Sequence, residues 1–249
     1  MTRRAVALAF VLATSIVRFW LLRLGGPRTL ERRARWLQQT CVRVLQSMDI
    51  RCHVEGQIPT RGLVVANHLS YLDIVMFSAA MPCFFVAKAE IDKWPYFGKA
   101  ARAGGTMFID RSSRRSAARV AAIISERLKL AVPVLFFPEG TSTDGAMLRF
   151  HSWLLEPAIV AGAPITAASV RYVISDGTPE HTLCWYGEAG FGPHLLKTLK
   201  TPGFHAELCF GEPRVYPHRK VAAYETYAEI AGMREGIRDC KDAEMLQPA

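Results

Sequence analysis

At 249 residues the chain is long enough for one full α/β core, and half of its residues are hydrophobic, with a mean hydropathy of +0.11 that is high for a soluble protein. The net charge of +9 is concentrated at one end: residues 1–35 hold eight arginines against a single acid, Glu31. These arginines flank and interrupt an apolar stretch rather than alternating with aromatics, which excludes nucleic acid as the partner and points to anionic lipid headgroups, at about 1 kcal/mol per basic residue. The six cysteines are scattered without metal or redox spacing, and a chain of this size argues against a disulfide framework, so a reducing, cytoplasmic compartment is expected.

In chain order, the first element is an apolar helix over 5–24. Its uninterrupted part, 5–17, is shorter than the roughly 20 residues of a standard span. The preferred reading is a helix lying in or dipping into one leaflet, with Arg18 and Arg23 snorkelling to headgroups. A true span and a cleaved signal are the other readings. After the breaker Gly25, Gly26 and Pro27, apolar residues at helical spacing predict a second helix over 28–46. The two form an N-terminal, membrane-associated helical pair, segment 1–47, ahead of a catalytic domain over 48–249. Strands are predicted over 51–55, 63–66, 83–87, 106–109, 132–137, 165–172, 182–186 and 206–210. Helices are predicted over 72–81, 114–130, 152–161, 193–199 and 221–238, and the tail after Lys241 is expected to fray. Alternation of this kind predicts an α/β fold, a layered mixed or largely parallel sheet with flanking helices.

Three strand ends carry polar residues. NHLSYLD at 67–73 follows the first buried strand and puts His68 on a strand-to-helix turn, with Asp73 in the helix's first turn. A histidine there suits proton transfer from a hydroxyl, with a carboxylate on its other nitrogen holding the tautomer. The same residues also read as a capped helix, with Ser70 as N-cap and Asp73 favoured by the helix dipole. GTMFIDR at 105–111 ends in Arg111, whose fork suits phosphate. FPEGTS at 137–142 places Glu139, Gly140 and Thr141 after another apolar strand, as a plain turn or as a site where backbone meets a ligand. Three such ends suggest one shared site. No Gly-x-Ser-x-Gly elbow is present, which argues against a serine nucleophile. His68 and Asp73 are too few for a metal site, and His53, His151, His181, His194, His205 and His218 stand isolated, so no metal and no cofactor is expected.

In this order and at this separation, NHLSYLD, GTMFIDR and FPEGTS resemble three sequence blocks of the glycerolipid acyltransferase superfamily, which includes the 1-acylglycerol-3-phosphate acyltransferases. A fourth, proline-containing strand block is matched by Ala163, Pro164, Ile165, Thr166 and Ala167. The resemblance implies transfer of a fatty acyl group from acyl carrier protein or coenzyme A to the hydroxyl of a lysolipid. It implies His68 as base and Asp73 as its orienting partner, with Arg111, Glu139, Gly140 and Thr141 at the acceptor. The first acceptor expected is 1-acyl-sn-glycerol-3-phosphate, at the cytoplasmic face of the inner (plasma) membrane.

One position departs from the pattern. Phosphatidic-acid-forming members usually carry an arginine after Glu-Gly-Thr, and this chain has Ser142. A lost charge-assisted contact of that kind costs about 1.5–3 kcal/mol. The segment 150–155 also lacks the usual Lys-Gly ending. Both features resemble the lyso-ornithine lipid acyltransferase branch, whose acceptor carries no phosphate. A non-catalytic lipid-binding protein on the same fold is the alternative from another class.

Overall fold

The computed structural model describes residues 2–22, 24–201, 203–236 and 244–245. Two helices come first, α1 (Thr2–Leu21) and α2 (Leu30–Met48). Thr29 caps α2 by accepting from the Arg32 N–H at 3.4 Å, and Asp49, left-handed at φ 58°, ends it. The two helices pack on each other, and Trp36 of α2 donates its indole N–H to Ser15 O of α1 at 3.1 Å. The outward face of α1 leaves Val6, Phe10, Val17 and Trp20 exposed, while Leu8 turns into the core. By length and composition α1 is apolar enough to cross a membrane. Arg18 donates to Gln39 Oε1 at 2.5 Å; Arg23 lies outside the described residues.

The rest is a single mixed sheet: β1 (Arg51–Glu55), β2 (Leu63–Ala66), β3 (Phe84–Lys88), β4 (Met107–Ile109), β5 (Val134–Phe136), β6 (Ile165–Ile174), β7 (Phe204–Phe210) and β8 (Glu244–Met245). Their order is β4-β3-β5-β2-β6-β7-β1-β8, parallel from β4 to β6 and between β7 and β1, antiparallel at β6–β7 and β1–β8. The helices α3 (Leu72–Ala80), α4 (Phe97–Gly104), α5 (Arg114–Arg127), α6 (Glu156–Val160), α7 (Phe191–Lys200) and α8 (Arg219–Gly236) complete the fold.

Central β2 shows why the sequence reads as an unbroken apolar run. Val64 and Ala66 pack into one core cluster, Leu63 and Val65 into the other, and all four are fully buried. A parallel strand covered on both faces has no polar side to show. β7 alternates buried and half-buried residues instead, the signature of one covered face.

The strand predicted over 182–186 is not formed. A 3-10 turn, Glu180–Thr182, leads into a loop that buries Leu183 and Cys184. The apolar run is real, but β6, which precedes it in the chain, already has β2 on one edge and β7 on the other. The predicted helix over 152–161 is divided into a 3-10 turn, Ser152–Leu155, and α6, with Pro157 in the first turn of α6. Of the tail after Lys241, Glu244–Met245 pair with β1 as β8, and the remainder lies outside the described residues.

Candidate active site

The site grows out of the end of β2. Asn67 extends the strand through its side chain: Nδ2 donates to Val170 O at 3.0 Å, and Val170 N donates back to Oδ1 at 2.8 Å. The chain then leaves the sheet at His68. Asp73, in the first turn of α3, reaches back so that its Oδ2 accepts from Leu69 N at 2.7 Å, from Ser70 N at 3.0 Å and from His68 Nδ1 at 2.7 Å. Its Oδ1 accepts from the Tyr172 hydroxyl of β6. The Ser70 N-cap expected for α3 is not formed: Tyr71 stands at that position and gives no side-chain cap bond, and the Asp73 carboxylate instead ties down the turn ahead of the helix while holding the imidazole.

A carboxylate accepting at Nδ1 assigns the proton to that nitrogen and leaves a lone pair on Nε2. Asp73 is fully buried, whereas 18% of the His68 side chain is exposed, on the wall of a cavity. The ring lies flat on Phe137, centroids 3.9 Å apart and planes 7° off parallel. A carboxylate at its edge and a phenyl ring on its face hold the imidazole where it lines the cavity.

Glu139 follows β5 and is 4% exposed. Its Oε1 accepts from His68 N and its Oε2 from Leu148 N, each at 3.0 Å. Its pKa is raised, by burial first, against the opposing pull of these two N–H groups and His68. Contact with an acceptor was the expectation for Glu139; its carboxylate instead ties the His68 turn to the loop over 140–148. The Gly140 amide, expected to face a ligand, donates to Phe137 O at 3.1 Å and closes the turn. Gly140 has φ 82°, and a Cβ there would sit 2.5 Å from Arg111 Nη1, whose guanidinium donates to Gly140 O. The positive φ favours glycine, whereas the guanidinium, at the end of a flexible side chain, could shift to admit a Cβ.

Arg111 and Lys88 lie at the ends of neighbouring β4 and β3 and line the cavity together. Burial lowers the Arg111 pKa, and Glu90 opposes that shift. Thr141 is exposed on the cavity wall, and the Ser142 hydroxyl donates to Trp185 O. His194, read as isolated, is structural: its Nδ1 meets the Tyr71 hydroxyl at 3.1 Å and its Nε2 meets Leu183 O at 3.2 Å.

The cavity measures about 360 Å³ and runs from His68 to the N-terminal helices, where Leu8, Leu12, Trp36 and Cys41 form its wall. That volume is in the usual range for small-molecule sites, about 300–1,000 Å³. The sequence did not point to Phe137 under the imidazole, Tyr172 behind Asp73, or the helical pair as cavity wall. The aromatic residues carry no local signal of these roles, since each acts across the fold.

The fold and site define a class: an α/β protein with a carboxylate-held histidine at the carboxyl end of a parallel strand, opening on an apolar groove. Comparison with known proteins narrows this. The family model described as Acyltransferase matches residues 49–171. A lyso-ornithine lipid O-acyltransferase of Rhodobacter capsulatus is 34% identical over 209 residues, 80% of this chain and 74% of that protein. A 1-acyl-sn-glycerol-3-phosphate acyltransferase of Neisseria meningitidis serogroup B is 40% identical over 138 residues, so the match spans 54% of that relative's length. The crystal structure of the 1-acyl-sn-glycerophosphate acyltransferase from Thermotoga maritima shares the fold, with a TM-score of 0.67 at 20% identity over 96% of this chain and 99% of that one. This chain belongs to the Acyltransferase family.

Proposed function

We propose that this protein is a membrane-associated O-acyltransferase that moves a fatty acyl group from a thioester to the hydroxyl of a lysolipid. One observation carries the reading: His68, held at Nδ1 by buried Asp73, offers Nε2 to a largely apolar cavity. The Nε2 lone pair takes the acceptor's hydroxyl proton as the oxygen attacks the thioester carbonyl. The C–S bond breaks, and the imidazolium returns the proton to the leaving thiolate. A thioester is already activated, so no acyl-enzyme is needed. Segment 1–47 then serves as membrane contact and cavity wall, with 48–249 as the catalytic domain. The apolar outward face of α1, interspersed with arginines, suits an anionic cytoplasmic leaflet. There the donor is acyl carrier protein or coenzyme A.

Lys88 and Arg111 are the cations that line the cavity among the described residues, and they can meet an anionic headgroup such as that of 1-acyl-sn-glycerol-3-phosphate. A second reading, a lyso-ornithine lipid acceptor, is favoured by Ser142, whose hydroxyl is bound to Trp185 O where a phosphate-binding arginine would stand. The deciding experiment places purified protein in anionic liposomes with both thioester donors and both lysolipids, and reads products by mass spectrometry. A diacyl product made by wild type and lost in His68→Ala supports the function and names the acceptor. Absence of product from every pairing, or product that persists in His68→Ala, refutes it. Ser142→Arg should raise use of the phosphate-bearing acceptor; no gain contradicts the electrostatic argument for the second reading.

A further inference from the structure

We propose that Tyr172 is a positioning residue for acyl transfer: its hydroxyl, donated to Asp73 Oδ1, fixes the carboxylate plane that orients His68. The inference rests on the function proposed above. Asp73 Oδ2 takes its three hydrogen bonds from within its own turn, at Leu69, Ser70 and His68. Bonds to one oxygen leave the carboxylate free to rock about that anchor. The bond to Oδ1 closes this freedom, and its donor stands 99 residues away on β6. Without it a buried carboxylate oxygen would lose its partner, and the imidazole would lose its defined edge.

Tyr172 is itself over-determined. It is 2% exposed and meets Phe204 edge-on, ring centroids 5.9 Å apart. Its backbone N–H donates to Glu180 Oε1 at 2.8 Å, and Arg234 Nη2 binds Glu180 Oε2 at 2.7 Å. Arg234 Nη1 also donates to Val170 O at 2.6 Å, so α8 clamps β6 on either side of Arg171. Burial and the Asp73 charge push the Tyr172 pKa well up, which keeps the phenol a donor over the working pH range. The other titratable groups around the pair are Glu139 beside His68, and Cys184, Glu180 and Arg234 beside Tyr172.

Tyr172→Phe removes the hydroxyl and keeps the ring. Expected is a fall in kcat of about tenfold to a hundredfold with KM little changed. The acid limb of the pH–rate profile should move to higher pH, because an Asp73 relieved of one donor holds the imidazolium more tightly. In an Asp73→Asn background the same substitution should cost almost nothing. A role confined to packing would lower Tm and leave the profile in place. Wild-type kcat and pH profile in Tyr172→Phe, or an undiminished loss in the Asp73→Asn background, overturns the proposal. Should Tyr172→Phe fail to fold, a fluorotyrosine series placed at position 172 keeps the ring and alters only hydroxyl acidity. A graded movement of the acid limb supports the coupling, and a flat series refutes it. The Nδ1 proton resonance of His68, identified by its loss in His68→Ala, gives a readout that needs no turnover. It should move in Tyr172→Phe, and an unmoved resonance counts against the proposal. A wild-type protein without transferase activity would sink the parent function while this resonance still tests the Tyr172 coupling.

Discussion

Two histidine–carboxylate pairs in this chain use the same chemistry and come out differently. His68 and Asp73 stand 2.7 Å apart, the carboxylate fully buried and holding three further hydrogen bonds. His205 and Glu207, two residues apart on β7, stand 3.5 Å apart with side chains 30% and 23% exposed. Glu207 is shared with Arg171 at 3.7 Å, and the His205 ring meets His53 edge-on at 4.6 Å. Burial, followed by the nearby His205, lowers the His53 pKa. At the first pair the ring is held in place and lines an apolar cavity; at the second, water and competing partners dilute every contact. The proposed roles of base and holder suit only the pair whose carboxylate is buried and fully hydrogen-bonded.

Substitutions can break or sharpen that contrast. The largest effect is expected from His68→Ala, a loss of about 10²- to 10⁴-fold in kcat with folding and liposome binding retained, read by product formation and co-sedimentation. Asp73→Asn should fall toward the low end of that range, about a hundredfold, since the imidazole stays but loses its tautomer-setting acceptor. Glu139→Ala should lower both Tm and activity, because the part-buried His68 and Leu148 N–H groups lose their acceptor, at about 1–3 kcal/mol in all. Normal melting would show that water replaces the carboxylate. Gly140→Ala should cost about 1–2 kcal/mol from the positive φ, with the Arg111 guanidinium shifting to make room. Chemical denaturation measures it. The smallest effect belongs to the outer pair: Glu207→Gln should leave turnover unchanged and move stability by less than about 1 kcal/mol. A large activity loss there would erase the distinction between the pairs.

Much of the site was legible because its key contact is local. His68 and Asp73 are five residues apart, so a strand end followed by one helical turn is enough to bring them together. The order of polar strand ends was also readable, and the sheet places Arg111 and the Glu139–Thr141 turn around the same cavity wall or loop. Roles within that set were less legible. Glu139 looked like a ligand for an acceptor, yet the backbone N–H groups of two loops occupy it. Tyr172 looked like the end of a hydrophobic strand. The run over 182–186 had strand-like composition, but β6, which precedes it in the chain, is already flanked by β2 and β7.

By itself the sequence determined the class of fold, through buried apolar runs alternating with amphipathic helices, and the His68–Asp73 pair, through short-range geometry. It also fixed where charge and apolar surface collect, at residues 1–35. The tertiary structure decided which faces meet. β6 lies beside β2, so Tyr172 reaches Asp73 across 99 positions, and α1 and α2 fold back to wall a cavity whose other end is lined by His68, just past β2. Local patterning specifies contacts within a turn or two because the backbone leaves few alternatives at that range. Contacts between distant segments depend on strand order, and strand order is settled only when the whole sheet packs.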